Sequence, residues 1–264
     1  MPQTASTLLS VSYQDDIALV KLTRPEKRNA INDRLVQAIN DCFSQMPENI
    51  KAIVLHAEGD HFCAGLDLSE ISENTAPESV MHSRNWHAAF GKVQFGRAPV
   101  IAVLHGAVVG GGLELASSAH IRIAEESAFY ALPEGKRGLF VGGGGSVRIS
   151  RLIGVARMSD LMLTGRVLSA QEGHQAGISQ YLIESGKGLE KAMELARNIA
   201  SNAAMTNYAV MHMLPRIADQ SMDEGLATES FVAAVAQKDP ATLSLLAQFL
   251  EGKKNKVQFK PQGQ

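Results

Sequence analysis

PVIAVLHGAVVGGGLELASSAHIRIAEESAFYALPEGKRGLFVGGGG, residues 99–145, carries both the organisation and the chemistry of this chain. It opens with an unbroken apolar run over 100–104, the pattern of a strand buried on both faces. Gly110, Gly111 and Gly112 follow, and then the helix-period set Leu113, Leu115, Ala116 and Ala119. A glycine loop running into a helix leaves unpaired backbone N–H groups at the positive end of the helix dipole, where an anion or a developing oxyanion is stabilised. Glu114 sits just inside that helix among small and apolar residues. Glu134 appears in Leu132-Pro133-Glu134-Gly135, directly after a strand-like run over 128–132. A helix-start donor with two carboxylates able to converge on it outlines a proton-transfer site.

Working outward, residues 11–23 read as a hairpin with Asp15-Asp16 at its turn. Asn32 is placed to cap a helix whose apolar face is Leu35, Val36, Ile39, Cys42 and Phe43. A short buried strand over 52–56 and a helix over 77–95 precede the central stretch. Beyond it, helices are expected over 146–153 and 155–163, and Ser169 with Glu172 forms a capping box. A short strand over 181–183 is followed by helices over 189–201 and 206–218, one capped by Ser221 with Glu224, and one starting at Asp239-Pro240. Strand–helix alternation thus gives way to an all-helical end, an α/β class with a core over 1–195 and a helical region over 196–264.

Composition narrows the function. At 264 residues, 45% apolar and 20% charged, the chain can bury a sizeable core. A net charge of −2 gives no nucleic-acid footprint, and no window approaches the roughly 18 apolar residues of a membrane span. No secretory signal is read in MPQTASTLLS, and two cysteines, Cys42 and Cys63, make no disulfide framework, so a cytoplasmic location is expected. Neither glycine cluster fits a dinucleotide or P-loop fingerprint, and no G-x-S-x-G elbow occurs. His82 and His87 lie about 140° apart around a helix, poor geometry for sharing a metal. Taken singly, Glu114 is an acidic residue favoured by the dipole, Glu134 one favoured after a helix-starting proline, and the glycines close packing. Lys27 and Arg28 read as a solvated loop unless an anionic ligand lies beside them. The two glutamates together tilt the reading toward catalysis.

RPEKRNA (24–30), HFCAGLDL (61–68), HGAVVGGGLELA (105–116), LPEGKRG (132–138) and GGGGSVRI (142–149), in that order, resemble the crotonase family of enoyl-CoA hydratases and isomerases. The resemblance covers nearly the whole chain. It implies a spiral of ββα units followed by a helical trimerisation region, with trimers often paired into hexamers. It also implies an acyl-CoA thioester as substrate and neither metal nor redox cofactor, coenzyme A being part of the substrate.

Carried over by position, the N–H groups of Leu66 and Gly111 would form the oxyanion hole. Ala64 matches the position whose carbonyl meets the adenine. Lys27, Arg28 and Ala30 would lie against the nucleotide, with Asp67 and Leu68 in the same CoA-binding stretch. Phe249 and Lys253 fall where the last helix reaches a neighbouring subunit's CoA. Glu134 would supply the C2 proton and Glu114 would activate water, both positions being filled as in hydratases. Many hydratases carry a Leu-Gly…Pro-Gly segment after the second glutamate; Lys136-Arg137 and the residues to Gly142 replace it here. The expected activity is therefore hydration of a 2-enoyl-CoA. The alternatives are another acyl-CoA reaction of the same family (isomerase, lyase or hydrolase) or a CoA-binding assembly protein of low activity, because one fold hosts many chemistries.

Overall fold

Asp15, at a left-handed φ of 54°, turns β1 (Leu9–Gln14) back against β2 (Ile17–Leu22) in the expected hairpin. The structure, a computed structural model, describes residues 8–70 and 75–252. The chain divides into two units, Met1–Ala200 and Ser201–Gln264.

In the first unit, Asn32 caps α1 (Asp33–Ser44) through its Oδ1, which accepts the Leu35 N–H at 3.0 Å. β3 (Ala52–Ala57) lies parallel to β2, and α2 (Ala76–Gln94) begins at a capping box formed by Thr75 and Glu78. β4 (Val100–Leu104) is buried throughout, as its apolar run requires. β5 (Ala107–Val109), α3 (Gly111–Ser118), β6 (Ile121–Glu125) and β7 (Phe129–Ala131) complete the central stretch. After it come α4 (Gly145–Ile153), α5 (Val155–Thr164), β8 (Val167–Ser169), α6 (Ala170–Ala176), β9 (Tyr181–Ile183) and α7 (Gly188–Ala200).

Six strands form one sheet in the order β1-β2-β3-β4-β6-β9, parallel except for the first pair, and β5-β7-β8 form a smaller one. Residues alternate between the faces of the large sheet. Ile17, Leu19, Val54, Ile101, Val103 and Ile123 meet α7 through Ala192, Met193 and Ala196. Ala18, Val20, Leu22, Ile53, Leu55 and Leu104 face the larger core, which holds α1, α2 and α3. This mixed α/β architecture agrees with the class read from the sequence.

The second unit is helical: α8 (Ala204–Tyr208), a π-helical turn over Ala209–Met213, α9 (Leu214–Ile217), α10 (Met222–Lys238) and α11 (Pro240–Leu250). The single helix expected over 206–218 is interrupted. Pro215 has no N–H to donate and its ring crowds the carbonyl one turn back, which the wider π turn accommodates.

Candidate active site

Two backbone donors converge where the segment after Phe62 is clamped on both sides. Cys63 donates to the Ala107 carbonyl at 2.9 Å and accepts from Val109 at 3.0 Å, which fixes it along β5. On the other side Ile31 donates to the Gly65 carbonyl at 2.7 Å, and Asp67 donates to the Ile31 carbonyl at 2.8 Å. The Leu66 N–H falls between these bonds and serves neither ladder. Gly111 opens α3, so its N–H has no intrahelical acceptor. The two sites adjoin: a Cβ on Gly111 would lie 3.6 Å from the Leu66 nitrogen. Gly112 explains how the backbones come so close, since a Cβ there would sit 2.3 Å from the Cys63 carbonyl oxygen.

Glu114, in the first turn of α3, is 3% exposed. Its Oε1 accepts the N–H groups of Gly143 and Gly145, each at 2.8 Å. That glycine loop is pinned in turn. Ser83 Oγ donates to the Gly142 carbonyl at 2.6 Å, and Arg148 Nη1 donates to the Gly143 carbonyl at 3.1 Å. Arg148 Nε donates to Gln94 Oε1 at 2.7 Å, which ties the loop back to α2.

Glu134 stands on a 3-10 turn, Pro133–Arg137, that follows β7. Its Oε1 packs against Gly110, which has φ 53° and where a Cβ would lie 2.6 Å from that oxygen. Its Oε2 is buried with no hydrogen-bond partner. Burial pushes the proton affinity of both carboxyls up. On Glu114 the N–H bonds from Gly145 and Gly143 oppose burial, while the charge of Glu134 reinforces it. On Glu134 its own backbone N–H and the Arg137 guanidinium oppose it.

Both carboxyls open onto one cavity of about 350 Å³. Ala64, Leu66, Leu68 and Gly111 line it with them, together with Ser79, His82, Ser83 and Trp86 from α2 and the segment 139–143. Six of the residues expected from the sequence thus share one space. The rest lie elsewhere. Lys27 and Arg28 are exposed on the loop after β2, Lys27 Nζ standing 3.4 Å from Ser69 Oγ, and the Arg28 carbonyl accepts the Ala64 N–H at 3.0 Å. Ala30 is buried, its carbonyl accepting from Arg24 Nη1. Asp67 is also buried, with Arg24 Nη2 2.8 Å from its Oδ2 and Ser69 Oγ 2.6 Å from its Oδ1. Bonds from Ser69, aided by Arg24, hold its proton affinity down. Its carboxylate is therefore committed to bracing the loop. Phe249 is half exposed on α11 of the second unit, and Lys253 lies outside the described residues.

Cys63 is fully buried and its thiol is pushed up to about 12, so it offers no thiolate nucleophile. His82 Nε2 pairs with Asp33 Oδ1 at 2.8 Å and His87 with Ser83 at 3.3 Å; among the described residues no group of three His, Cys, Asp or Glu is placed to hold a metal ion. The sequence did not single out Ser83, Trp86, Gln94 or Arg148. Ser83 and Trp86 reach the site from α2, and Gln94 meets Arg148 across 54 residues of chain; no local pattern encodes such contacts.

A family model described as enoyl-CoA hydratase/isomerase matches residues 12–262. A 2,3-dehydroadipyl-CoA hydratase of Escherichia coli is 31% identical, over 84% of this chain and 87% of its own. A short-chain-enoyl-CoA hydratase of Clostridium acetobutylicum is 29% identical, over 91% and 95%. A crystal structure from Rhodopseudomonas palustris, provisionally described as an enoyl-CoA hydratase, is 55% identical with a TM-score of 0.91, covering 94% of this chain and 96% of that one.

Proposed function

The chain belongs to the enoyl-CoA hydratase/isomerase family and is an enoyl-CoA hydratase, and we propose that Glu114 and Glu134 divide the proton work of hydration. The single observation that carries this division is the contrast between two carboxyls facing one cavity, Glu114 buried and Glu134 half-buried with its Oε2 covered. Glu114 Oε1 is saturated by two N–H donors, an arrangement that favours the carboxylate and leaves Oε2 to take a proton from water. Glu134 Oε2 is buried and bare, an arrangement that favours the neutral acid and gives it a proton to deliver.

The steps balance. Water, losing a proton to Glu114, adds through oxygen to C3 of the 2-enoyl thioester. The C2=C3 electron pair moves toward the thioester carbonyl, whose oxygen takes up negative charge. The N–H groups of Leu66 and Gly111 receive that oxygen, with the dipole of α3 behind Gly111, an effect of roughly 3–4 kcal/mol per donor in comparable sites. C2 takes the proton of Glu134, and a proton passing from Glu114 to Glu134 resets the pair. All protons and electrons are carried by substrate, water and the two glutamates, so the scheme calls for no metal or redox cofactor.

Lys27 and Arg28, exposed beside Ala64, are suited to the phosphates of coenzyme A. We further place the enzyme in the cytoplasm as a trimer or pair of trimers, its core wound as a spiral of ββα units; exposed apolar helix residues in the second unit support assembly. No helix among the described residues is long and apolar enough to cross a membrane.

Glu114→Gln and Glu134→Gln test the division. Each is expected to lower kcat for hydration by at least about 100-fold while acyl-CoA still binds, because general acid–base groups supply roughly 10²–10⁴. Near wild-type turnover in either variant would refute the two-glutamate scheme.

A further inference from the structure

Lys136 and Arg137 follow the acid Glu134 on the same 3-10 turn, and hydration as written uses neither. Their side chains diverge. Lys136 packs its methylenes against Gly165, where a Cβ would lie 2.9 Å from Lys136 Cγ. Arg137 instead lines the cavity, and it makes no hydrogen bond or ion pair among the described residues. Arg24, Arg148 and Arg166 are engaged, with Asp67, with Gln94 and with Asp160 and Glu172; Arg28, Arg34 and Arg84 also lack a side-chain partner among the described residues but do not line the cavity. Within the cavity His82 already has Asp33, and among the described lining residues the acidic ones are the two glutamates of the reaction. Apolar Leu139 and Phe140, two and three residues after Arg137, line the same cavity, Phe140 being 71% exposed.

Resting on the hydratase reading, we propose that Arg137 pairs with an anion at the far end of the acyl chain, so that the preferred substrate is a short 2-enoyl-CoA ending in a carboxylate. A cavity lined by one unpaired guanidinium and by apolar side chains matches an acyl group that is methylene along its length and charged at its tip. Arg137 is itself exposed, and a neutral acyl chain lying along it would take away part of its hydration without supplying a partner, which is costly. A carboxylate can meet it with two parallel N–H···O bonds. Selectivity then comes as much from the penalty on the neutral chain as from attraction to the charged one. The phosphates of coenzyme A fit the position less well. The whole pantetheine arm separates them from the thioester, whereas Arg137 is three residues from the acid assigned to C2. Its charge is close enough to Glu134 to oppose the effect of burial there.

The test separates this subsite from the reaction. Titration calorimetry compares hexanoyl-CoA with the six-carbon acyl-CoA ending in a carboxylate, both saturated and unreactive, on the wild type, Arg137→Ala and Arg137→Lys. The wild type is expected to bind the carboxylated thioester about 10-fold tighter or more, the range of a hydrogen bond to a charged group. In Arg137→Ala the ratio falls to near one. Arg137→Lys recovers part of it, since an ammonium supplies charge without the planar fork. Equal affinities in the wild type, or an unchanged ratio in Arg137→Ala, would overturn the proposal. So would a loss in Arg137→Ala that is equal for both thioesters and vanishes with their pantetheine analogues, because Arg137 would then read phosphate. Turnover of 2-hexenoyl-CoA and its carboxylated counterpart tests the hydratase reading separately. A binding preference with neither compound hydrated would overturn the reaction and leave the subsite standing.

Discussion

Glu114 keeps a carboxyl where burial opposes its charge, and that conflict has a thermodynamic signature. The folded protein holds the proton more tightly than the unfolded chain does. A raised carboxyl pKa means that the native state binds more protons in the window between the unfolded and folded values. Stability therefore falls as pH rises through that window and stays lower above it. Glu114→Gln removes the penalty while its carbonyl oxygen can still accept from Gly143 and Gly145. At pH 8 the variant is expected to melt about 2–4 °C above the wild type, the equivalent of roughly 1 kcal/mol in a domain of this size. The gap should shrink as the pH approaches about 4, where the unfolded carboxyl also takes its proton. Thermal scans at both pH values decide the sign; a lower melting temperature at pH 8 would mean the two N–H bonds outweigh desolvation. The two glutamates were legible because acid residues in apolar, glycine-flanked sequence are chemically conspicuous. Ser83 and Arg148 were not, since Ser83 acts on the carbonyl of Gly142, 59 residues along the chain, and Arg148 is tied to Gln94, 54 residues back.

Elements were legible in proportion to how far local sequence decides them. α1, α6 and α10 announce themselves through Asn32, Ser169 and Ser221, whose side chains accept the N–H three residues on. β4 is fixed by its apolar run. β5, β6 and β8 escaped, because three to five residues alternating with polar or glycine neighbours become strands only when a partner supplies the ladder. The approach of α3 to the Cys63 segment is of the same kind, and it rests on Gly112. In Gly112→Ala the new methyl meets the Cys63 carbonyl, backbone that cannot rotate away, so α3 must move off. The expected cost is about 1–3 kcal/mol of stability. Turnover should fall more than thioester affinity does, because the Leu66 and Gly111 N–H groups are drawn apart and act mainly in the transition state. Denaturant melts together with kcat and KM check both parts; an unaltered kcat in a folded Gly112→Ala protein would sever the link between this packing and the two donors.

At the scale of the whole molecule the second unit poses the remaining question. Its helices leave Leu226, Phe231, Val235, Leu243, Leu246 and Phe249 exposed, with Phe231 at 74%. Single exposed apolar residues are ordinary, but so many along α10 and α11 exceed what a monomer leaves uncovered. The helix pattern legible in the sequence places these residues on helices without saying what covers them, since a pattern of 3.6 residues reports that a face is apolar and nothing about its partner. A second copy of the chain is the occupant we expect, closing into a ring of three because a closed assembly leaves none of its copies with a free face. The wild type should then scatter light as a trimer or hexamer at micromolar concentration. Deleting everything from Asp239 onward removes α11 and should shift the protein toward smaller species. Coenzyme A affinity should weaken with it if Phe249 serves a neighbour's nucleotide. Assembly lost with affinity intact would confine α11 to the interface, and a fully active monomeric wild type would remove the need for either role.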